Sequence, residues 1–565
     1  MGDSSLTSRD ASGVERVLIA ASGPGFEMQP VDAAGAPTGP VRWTADLAAT
    51  ALDLERHDRP RWVWWRTAEV YPVLLEAGVR VERCHDLAAV ENLLRTHAGE
   101  RFTSPQSVAH EPPRGRSRQT SLFDAPADPA QNDEEPGRPQ PPAGLAGLRE
   151  SHASQARRIA GIRPGQPGFP LLVAAESAAC LAAVEMGRAG LPWSTRIHDR
   201  VLTDLLGPRP QHHGRPRLLQ ALAEEVSRLL GGTDQQPMNP DSPADVLRAF
   251  RRQGVVLETT RAWELKQVDH PAVTSLLRYK ELSRLHVAHG WAWQDQWVRA
   301  GRFHAEYVPG GVVTGRWATS GGGALQIPKV MRGCVVADPG WVLVAADAGQ
   351  LEPRILAALS GDRGMIAATA DPDLYTALAQ QALGRPEARQ EAKIGLLAAM
   401  YGARANSPAM GALRRRFPQA LDLLERAART GENGGIVRSV LGRTCPPPES
   451  SWQDVPPEKA LARSRARGRF TRNFVIQASA ADWANALVAG LRRRLAAMPS
   501  AGSGRAELVF FQHDEVIVHA PATLAEAVVS AVVESGAEAT SLVLGERGVH
   551  IPLAAAPIAS YAEKN

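Results

Sequence analysis

Two apolar runs that each lead into an acidic residue most constrain the fold of this 565-residue chain. The first, Trp341-Val-Leu-Val-Ala-Ala-Asp347, is apolar and β-branched, which predicts a buried strand ending at an aspartate. The second leads into His513-Asp514-Glu515 and a further apolar run, which predicts a β-hairpin with an acidic turn. Strands of this kind in one sheet would bring Asp347 and Asp514 together. Each aspartate taken alone is equally consistent with a loop residue or a helix N-cap.

The segment between these two runs has the spacing of a helix with a chemically mixed face. Arg389, Lys393, Leu397 and Tyr401 recur at every fourth residue, so on an α-helix they follow one face. The two cations suit phosphate oxygens, and the next two side chains suit a sugar and a base. A solvated basic stripe would explain this helix if it stood alone. Beside two carboxylates, the pattern indicates phosphoryl transfer from a nucleoside triphosphate with two Mg²⁺ ions, or Mn²⁺ in their place.

These segments and several others resemble, in order and approximate spacing, the polymerase domain of the bacterial family A DNA polymerases. The similarity covers roughly residues 170 to 565. Its segments are Thr314-Gly-Arg316, Leu325-Gln-Ile-Pro328, the strand to Asp347, the helix from Arg389, the stretch from Arg469 to Asp482, and the His513-Asp514-Glu515 turn. Upstream, Asn239 to Pro243, His270-Pro271 and Tyr279 to Ser283 resemble the same family's thumb region.

The resemblance implies a role for each matching residue. Asp347 and Asp514 match the two metal-binding aspartates, Glu515 matches an auxiliary carboxylate, and Lys393 offsets charge on the leaving pyrophosphate. Substrate contacts are implied for the triphosphate-binding Arg389 and Lys393, the steric gate Glu352 that excludes a ribose 2′-hydroxyl, Tyr401 near the templating base, and the positions of Leu397 and Tyr375. Contacts to primer and template are implied for Arg316, Arg469, Asn473, Gln477 and His513.

Several residues depart from the family pattern. Leu397 stands where Phe or Tyr is usual, and Leu396 stands where Asn is common, which predicts weaker stacking on the incoming nucleotide. Tyr375 replaces a His near the phosphates, and Ala348 replaces an aromatic beside the first aspartate. None of these changes removes a metal ligand.

The expected fold is multidomain, with α/β and α+β parts. Residues 151–565 are expected to form a right-hand polymerase, with a thumb at about 216–300, fingers at about 362–468 and a palm from the remainder. Residues 1–103 are expected to form a small α/β domain, which by position resembles the family's ribonuclease H-like 3′-5′ exonuclease domain. Asp53 and Glu55 have a suitable local pattern but lie too close to Glu69 for the usual arrangement, so we expect no proofreading activity. A surviving nuclease would need a carboxylate cluster there. No segment resembles the family's 5′-nuclease domain.

Residues 104–150 are rich in Pro, Gly and charged residues and predict a disordered linker. Within it, Gln119, Leu122 and Phe123 belong to a peptide that resembles those inserted by bacterial replication and repair proteins into the sliding clamp. A clamp partner is therefore expected.

Composition agrees with a cytoplasmic, nucleoid-associated protein. A net charge of +4 permits nucleic-acid binding, and four scattered cysteines suggest reduced thiols. No membrane span or secretion signal is expected, and a monomer is predicted. The expected function is template-directed addition of deoxynucleoside triphosphates to a primer 3′-hydroxyl in repair or replication. The alternative is a catalytically weak adaptor that binds DNA or the clamp on a polymerase scaffold.

Overall fold

The computed structural model describes residues 15–104, 140–211, 214–233, 235–321, 323, 327–402, 408–448, 452, 456–500, 502 and 504–564. The expected clamp-binding residues Gln119, Leu122 and Phe123 lie outside the described residues, as do Leu325 and Gln326. The chain divides into two compact units. One comprises Met1–Ala189, Glu306–Gly321 and Gly340–Pro557, and the other comprises Gly190–Ala305, Gly322–Pro339 and Ile558–Asn565.

The N-terminal part of the first unit is a mixed five-stranded sheet with helices. Its elements are β1 (Arg16–Ser22), β2 (Gly25–Val31), β3 (Arg42–Thr44), α1 (Leu47–His57), β4 (Arg61–Trp64), α2 (Thr67–Glu76), β5 (Arg83–Asp86) and α3 (Leu87–His97). The strand order is β3-β2-β1-β4-β5, antiparallel from β3 to β1 and parallel from β1 to β5. Trp62, Trp64 and Tyr71 are fully buried in its core. These elements have the α/β character expected for residues 1–103, and their assignment as a domain of their own stays a prediction.

Two helices follow, α4 (Gly144–Ile162) and α5 (Phe169–Ala189). Because α4 begins at Gly144, the expected linker at 104–150 is too long at its C-terminal end. By length and composition, α5 and the segment Ala522–Leu544 resemble membrane spans, whereas no span was expected from the sequence. However, 67% of the apolar window of α5 is buried inside the protein, where the helix packs against α2 and β5. It is a core helix.

The second unit is mainly helical. It contains β6 (Leu191–Pro192), α6 (Thr195–Leu206), α7 (Arg217–Leu229), α8 (Pro243–Arg252), α9 (Ala262–Leu265), α10 (Ala272–His289), α11 (Trp291–Trp297), β7 (Val298–Arg299) and β8 (Arg302–Phe303). Trp193, Trp293 and Phe303 form a buried aromatic cluster in it, with ring centroids 4.7–5.6 Å apart. Residues 216–300 fall within this unit, which begins at Gly190, and their assignment as a thumb stays a prediction.

The rest of the first unit joins a sheet to a set of helices. In chain order it contains β9 (Glu306–Val308), β10 (Ala318–Gly321), β11 (Trp341–Ala348), α12 (Leu351–Ser360), α13 (Arg363–Ala368), α14 (Leu374–Leu383), α15 (Arg389–Tyr401), α16 (Pro408–Arg416), α17 (Pro418–Glu432), α18 (Pro457–Ala497), β12 (Glu507–Gln512), β13 (Glu515–Pro521), α19 (Ala525–Leu544) and β14 (Leu553–Ile558). The main sheet has the order β12-β13-β11-β14. Helix α18 passes without interruption through residue 468, the expected end of the fingers. The multidomain α/β and α+β fold class is confirmed.

Candidate active site

The two sequence-predicted acidic strand ends meet on one sheet. Strands β11 and β13 are antiparallel with Asp347 opposite Glu515, and the Ala348 amide donates a hydrogen bond to the Asp514 carbonyl at 3.1 Å. The hairpin between β12 and β13 turns through His513 and Asp514, and His513 has the left-handed φ of 57° that such a tight turn requires. Backbone pairing thus fixes the positions of Asp347, Asp514 and Glu515 relative to one another.

The two aspartates carry like charges, which repel each other. Burial and the nearby charge of Asp347 together raise the pKa of Asp514 to about 7. A divalent cation between the two carboxylates would relieve this repulsion, and carboxylate oxygens are the ligands that Mg²⁺ prefers. Within the described part of the chain, no group of three or more His, Cys, Asp or Glu side chains is arranged to hold a metal.

Glu352 lies in the first turn of α12 and is held by two neighbours. It forms an ion pair with Arg316, and it accepts a hydrogen bond from the Tyr401 hydroxyl at 2.7 Å. Burial and the charge of Glu352 raise the pKa of Tyr401 above its usual value, so this hydroxyl stays a donor. The carboxylate is thus fixed between the segment before β10 and the last turn of α15.

The predicted cationic helix is α15, and its two cations share one aromatic neighbour. The Arg389 guanidinium carbon lies 5.8 Å from the centre of the Tyr375 ring, and Lys393 Nζ lies 5.9 Å from the same centre. Both distances are in the cation–π range. Arg389 also forms an ion pair with Asp373, the N-cap residue of α14. Sequence reasoning had not singled out Asp373.

The apolar positions of α15 differ in exposure. Leu396 is fully buried in the core, whereas Leu397 is only partly buried and packs against the core from its edge. Leu396 is therefore unavailable to a ligand in this conformation. Leu397 retains an accessible surface, but an aliphatic side chain offers no ring for stacking.

The three residues expected beside the template lie on α18. Arg469, Asn473 and Gln477 are four residues apart and share one face of this helix. The stem of Arg469 packs over Gly402, where an added Cβ would lie 2.8 Å from Arg469 Cγ. In the described residues, Asn473 Oδ1 is buried without a hydrogen-bond donor.

A buried ionic network beneath Arg316 was also missed. Arg443 pairs with Glu176 at 2.7 Å and with Asp482 at 3.1 Å, and all three side chains are almost completely buried. Gly315 has a φ of 83°, and an added Cβ there would lie 2.3 Å from Arg443 Nε. Arg443 therefore supports the turn that carries Arg316. Only the isolated charges of Glu176, in an apolar helix, and of Arg443 signalled this network in the sequence.

The acidic residues of the N-terminal sheet have structural contacts. Asp53 is exposed beside His57, while Glu55 accepts hydrogen bonds from Trp62 Nε1 at 2.7 Å and from the Glu82 amide at 3.2 Å. Asp86 is buried and caps α3. Glu55 and Asp86 thus take part in hydrogen bonds within the N-terminal part. The absence of proofreading stays a prediction.

Comparisons with known proteins agree with this geometry. The sequence model described as DNA polymerase family A matches residues 235–555. The thermostable DNA polymerase I of Thermus aquaticus is 29% identical over 345 residues, covering 56% of this chain and 38% of that protein. The DNA polymerase I of Chloroflexus aurantiacus is 30% identical over 308 residues, covering 50% of this chain and 31% of that protein. The chain thus spans well under half the length of these two relatives.

A solved structure has the same fold. It is the POL domain of Pol1 from M. smegmatis, in complex with DNA primer-template and dNTP, and the TM-score is 0.70. The match covers 98% of this chain and 96% of that one at 18% sequence identity.

Proposed function

This chain belongs to DNA polymerase family A, and from that premise we propose that it is a DNA-directed DNA polymerase that extends a primer 3′-hydroxyl with deoxynucleoside triphosphates. The observation that carries the proposal is the set of contacts that ties α15 to the sheet bearing Asp347 and Asp514. Tyr401, at the end of α15, donates to Glu352, and Glu352 lies in the first turn of the helix that follows Asp347. Cations for a triphosphate and carboxylates for a metal are thus parts of one packed assembly.

We infer that Asp347 and Asp514 would hold two Mg²⁺ ions, or Mn²⁺, with Glu515 beside them. When bound, such ions lower the pKa of the primer hydroxyl and stabilise charge on the transferred phosphoryl group. Arg389 and Lys393 would bind the triphosphate and offset charge on the pyrophosphate that leaves. Tyr375, which both cations approach, is the aromatic neighbour of that phosphate site.

Glu352 is proposed to exclude ribonucleotides. Because Arg316 and Tyr401 hold its carboxylate, the side chain has little freedom to move away from a 2′-hydroxyl. Leu397 offers no ring to the nucleotide, so selectivity for the sugar would depend chiefly on Glu352. Arg316, His513, Arg469, Asn473 and Gln477 are the proposed contacts to primer and template.

The experiment is primer extension on a templated duplex with Mg²⁺, comparing the unmodified protein with Asp347→Ala. Extension that follows the template, prefers deoxynucleotides and falls by at least about 10³-fold in Asp347→Ala supports the proposal. Asp53→Ala, which removes an exposed carboxylate in the N-terminal sheet, is the matched control and should extend normally. Duplex binding without any extension would instead favour the adaptor.

We also propose a sliding-clamp partner through Gln119, Leu122 and Phe123, and a monomeric protein that works in repair or replication at the cytoplasmic nucleoid. The clamp contact is tested by size-exclusion chromatography of the protein with a bacterial sliding clamp. Leu122→Ala/Phe123→Ala should abolish co-elution and leave extension of a short primer unchanged. Co-elution of this variant would rule out the peptide as the clamp contact.

A further inference from the structure

The acidic residue that pairs with Arg389 on α15 has no role in the function proposed above. Asp373 is the N-cap of α14, and its carboxylate accepts hydrogen bonds from the Tyr375 amide at 3.2 Å and from the Thr376 hydroxyl at 3.0 Å. The same carboxylate receives Arg389 Nε. A negative charge beside a phosphate-binding arginine is unfavourable for binding a triphosphate unless it serves another purpose.

The geometry of the Asp373–Arg389 pair indicates what Asp373 does for Arg389. Arg389 carries five N–H donors, and Asp373 engages the one on Nε, which leaves the two terminal nitrogens for phosphate. The Tyr375 ring lies beside the guanidinium at 5.8 Å. An arginine held at Nε and placed against a ring has lost most of its rotational freedom before a ligand arrives. Pre-ordering of this kind lowers the entropic cost of binding.

Asp373 is itself anchored to the turn that follows the metal-site strand. Gln350, in the left-handed conformation with a φ of 53°, donates from Nε2 to Asp373 Oδ1 at 3.4 Å. Its Oε1 accepts from the Leu374 amide at 3.0 Å. Gln350 lies three residues after Asp347. Hydrogen bonds therefore connect the turn that follows Asp347 to Asp373 and Leu374, and Asp373 to Arg389.

The pKa shifts of Asp373 and Arg389 agree with an ion pair between them. Burial opposes ionisation of Asp373, but the hydrogen bonds from Arg389, Thr376 and the Tyr375 amide, together with the charge of Arg389, outweigh it and lower the pKa of Asp373. The same hydrogen bond raises the pKa of Arg389. Both groups are charged at neutral pH.

From these contacts we propose that Asp373 is a positioning residue that sets the Arg389 guanidinium for the triphosphate and fixes its distance from the metal site. This inference rests on the proposed polymerase function. It assigns to Asp373 no contact with the nucleotide.

Asp373→Asn is the informative variant, because asparagine caps a helix as well as aspartate does and α14 should remain intact. We expect the KM for deoxynucleotides to rise about tenfold, because a factor of this size corresponds to the free energy of one charge-assisted hydrogen bond. The kcat should change by less than about threefold. The dissociation constant of a deoxynucleotide, measured on a complex with a dideoxy-terminated primer, should rise by the same factor. Affinity for the duplex should not change.

Glu391→Gln is the matched control, because it also removes one negative charge. Glu391 is an exposed carboxylate on α15 that pairs with Arg385 rather than with Arg389. Its KM should stay within about twofold of the original. Asp373→Glu, which restores the charge, should recover part of the lost affinity.

Two results would overturn the inference. An unchanged KM in Asp373→Asn would mean that the pair does not order Arg389. A lowered KM would mean that Asp373 competes with the phosphate. If the unmodified protein fails to extend a primer at all, the proposed function fails instead, so the two failures are distinguishable.

Discussion

At the residue scale, the most informative group is Asp514, whose protonation depends on Asp347. Burial and that neighbouring charge raise its pKa to about 7 in the folded protein. An aspartate in an unfolded chain ionises near 3.9. The folded site thus keeps a proton that a metal ion would have to displace. We therefore expect metal affinity to increase as the pH rises through 7.

The same shift predicts how stability depends on pH. Between about pH 4 and pH 7 the unfolded state loses this proton before the folded state does, so ionisation of Asp514 opposes folding. Asp514→Asn should therefore raise the free energy of unfolding at pH 8 by about 2 kcal/mol, allowing for partial screening by solvent. The gain should shrink to zero near pH 4.

Urea unfolding in EDTA across this pH range measures the effect, with Asp53→Asn as the exposed control. A gain of equal size at every pH would show that repulsion between the aspartates is not its cause. With added Mg²⁺ the unmodified protein should become more stable than Asp514→Asn, because only the unmodified protein keeps both carboxylates.

Glu352 allows a second prediction at this scale. Tyr401→Phe removes the 2.7 Å hydrogen bond and leaves Arg316 as the remaining contact described for the carboxylate. A freer Glu352 should exclude a 2′-hydroxyl less well, so discrimination against ribonucleotides should fall about fivefold. Competition between deoxy- and ribonucleotides in primer extension measures this ratio. Tyr71→Phe removes a similar tyrosine–glutamate hydrogen bond in the N-terminal part and should leave the ratio unchanged.

At the element scale, the turn between α13 and α14 depends on one buried arginine. Arg354 is completely buried and donates to the carbonyl oxygens of Thr369 and Asp371 at 2.5 and 2.8 Å, and to that of Pro372 at 3.0 Å. It also donates to the His550 carbonyl at 2.9 Å. These contacts hold the backbone that delivers Asp373 and Tyr375 to α15.

Arg354→Met should therefore do more than remove a charge. Methionine replaces the aliphatic part of the side chain but not the guanidinium, so several carbonyl oxygens lose their donors, and we expect a loss of about 3 kcal/mol in stability. Hydrogen exchange should increase most in residues 369–374. Arg547→Met is the control, because Arg547 donates to the Ala358 carbonyl at 2.8 Å and should cost less than about 1 kcal/mol. Uniform exchange across the protein would contradict a local role.

These elements also show what a sequence can predict. Strand β11 and the hairpin of β12 and β13 follow from apolar, β-branched runs, and α15 follows from its four-residue spacing, because each pattern is local. The role of Arg354 was not predictable, because its partners are backbone carbonyls that any sequence supplies. The Asp373–Arg389 pair was missed for a related reason. It joins α15 to the N-cap of α14, and the backbone just before that N-cap is held by Arg354.

At the scale of the whole molecule, the N-terminal sheet is part of the first compact unit and shares a buried ionic cluster with α18. Arg492 of α18 pairs with Glu185 of α5 at 2.7 Å, and both side chains are 9% exposed. Arg492 also donates to the Glu82 carbonyl at 2.7 Å, and Tyr71 donates to Glu185. The sheet that was expected to be a separate domain is thus joined to the polymerase part by charges removed from water.

Arg492→Met tests whether this cluster stabilises the unit. It leaves Glu185 buried, with its remaining partners Tyr71 and Arg80, so we expect a loss of about 3–4 kcal/mol. Adding Glu185→Met removes the uncompensated charge and should restore most of that stability, since an apolar pair of similar volume often replaces a buried ion pair without loss. Urea unfolding followed by tryptophan fluorescence measures the stability of both variants. Arg493→Met is the control, because it removes an arginine from a partly exposed ion pair with Glu538. If the double variant is as unstable as the single one, packing rather than charge holds the N-terminal sheet in place.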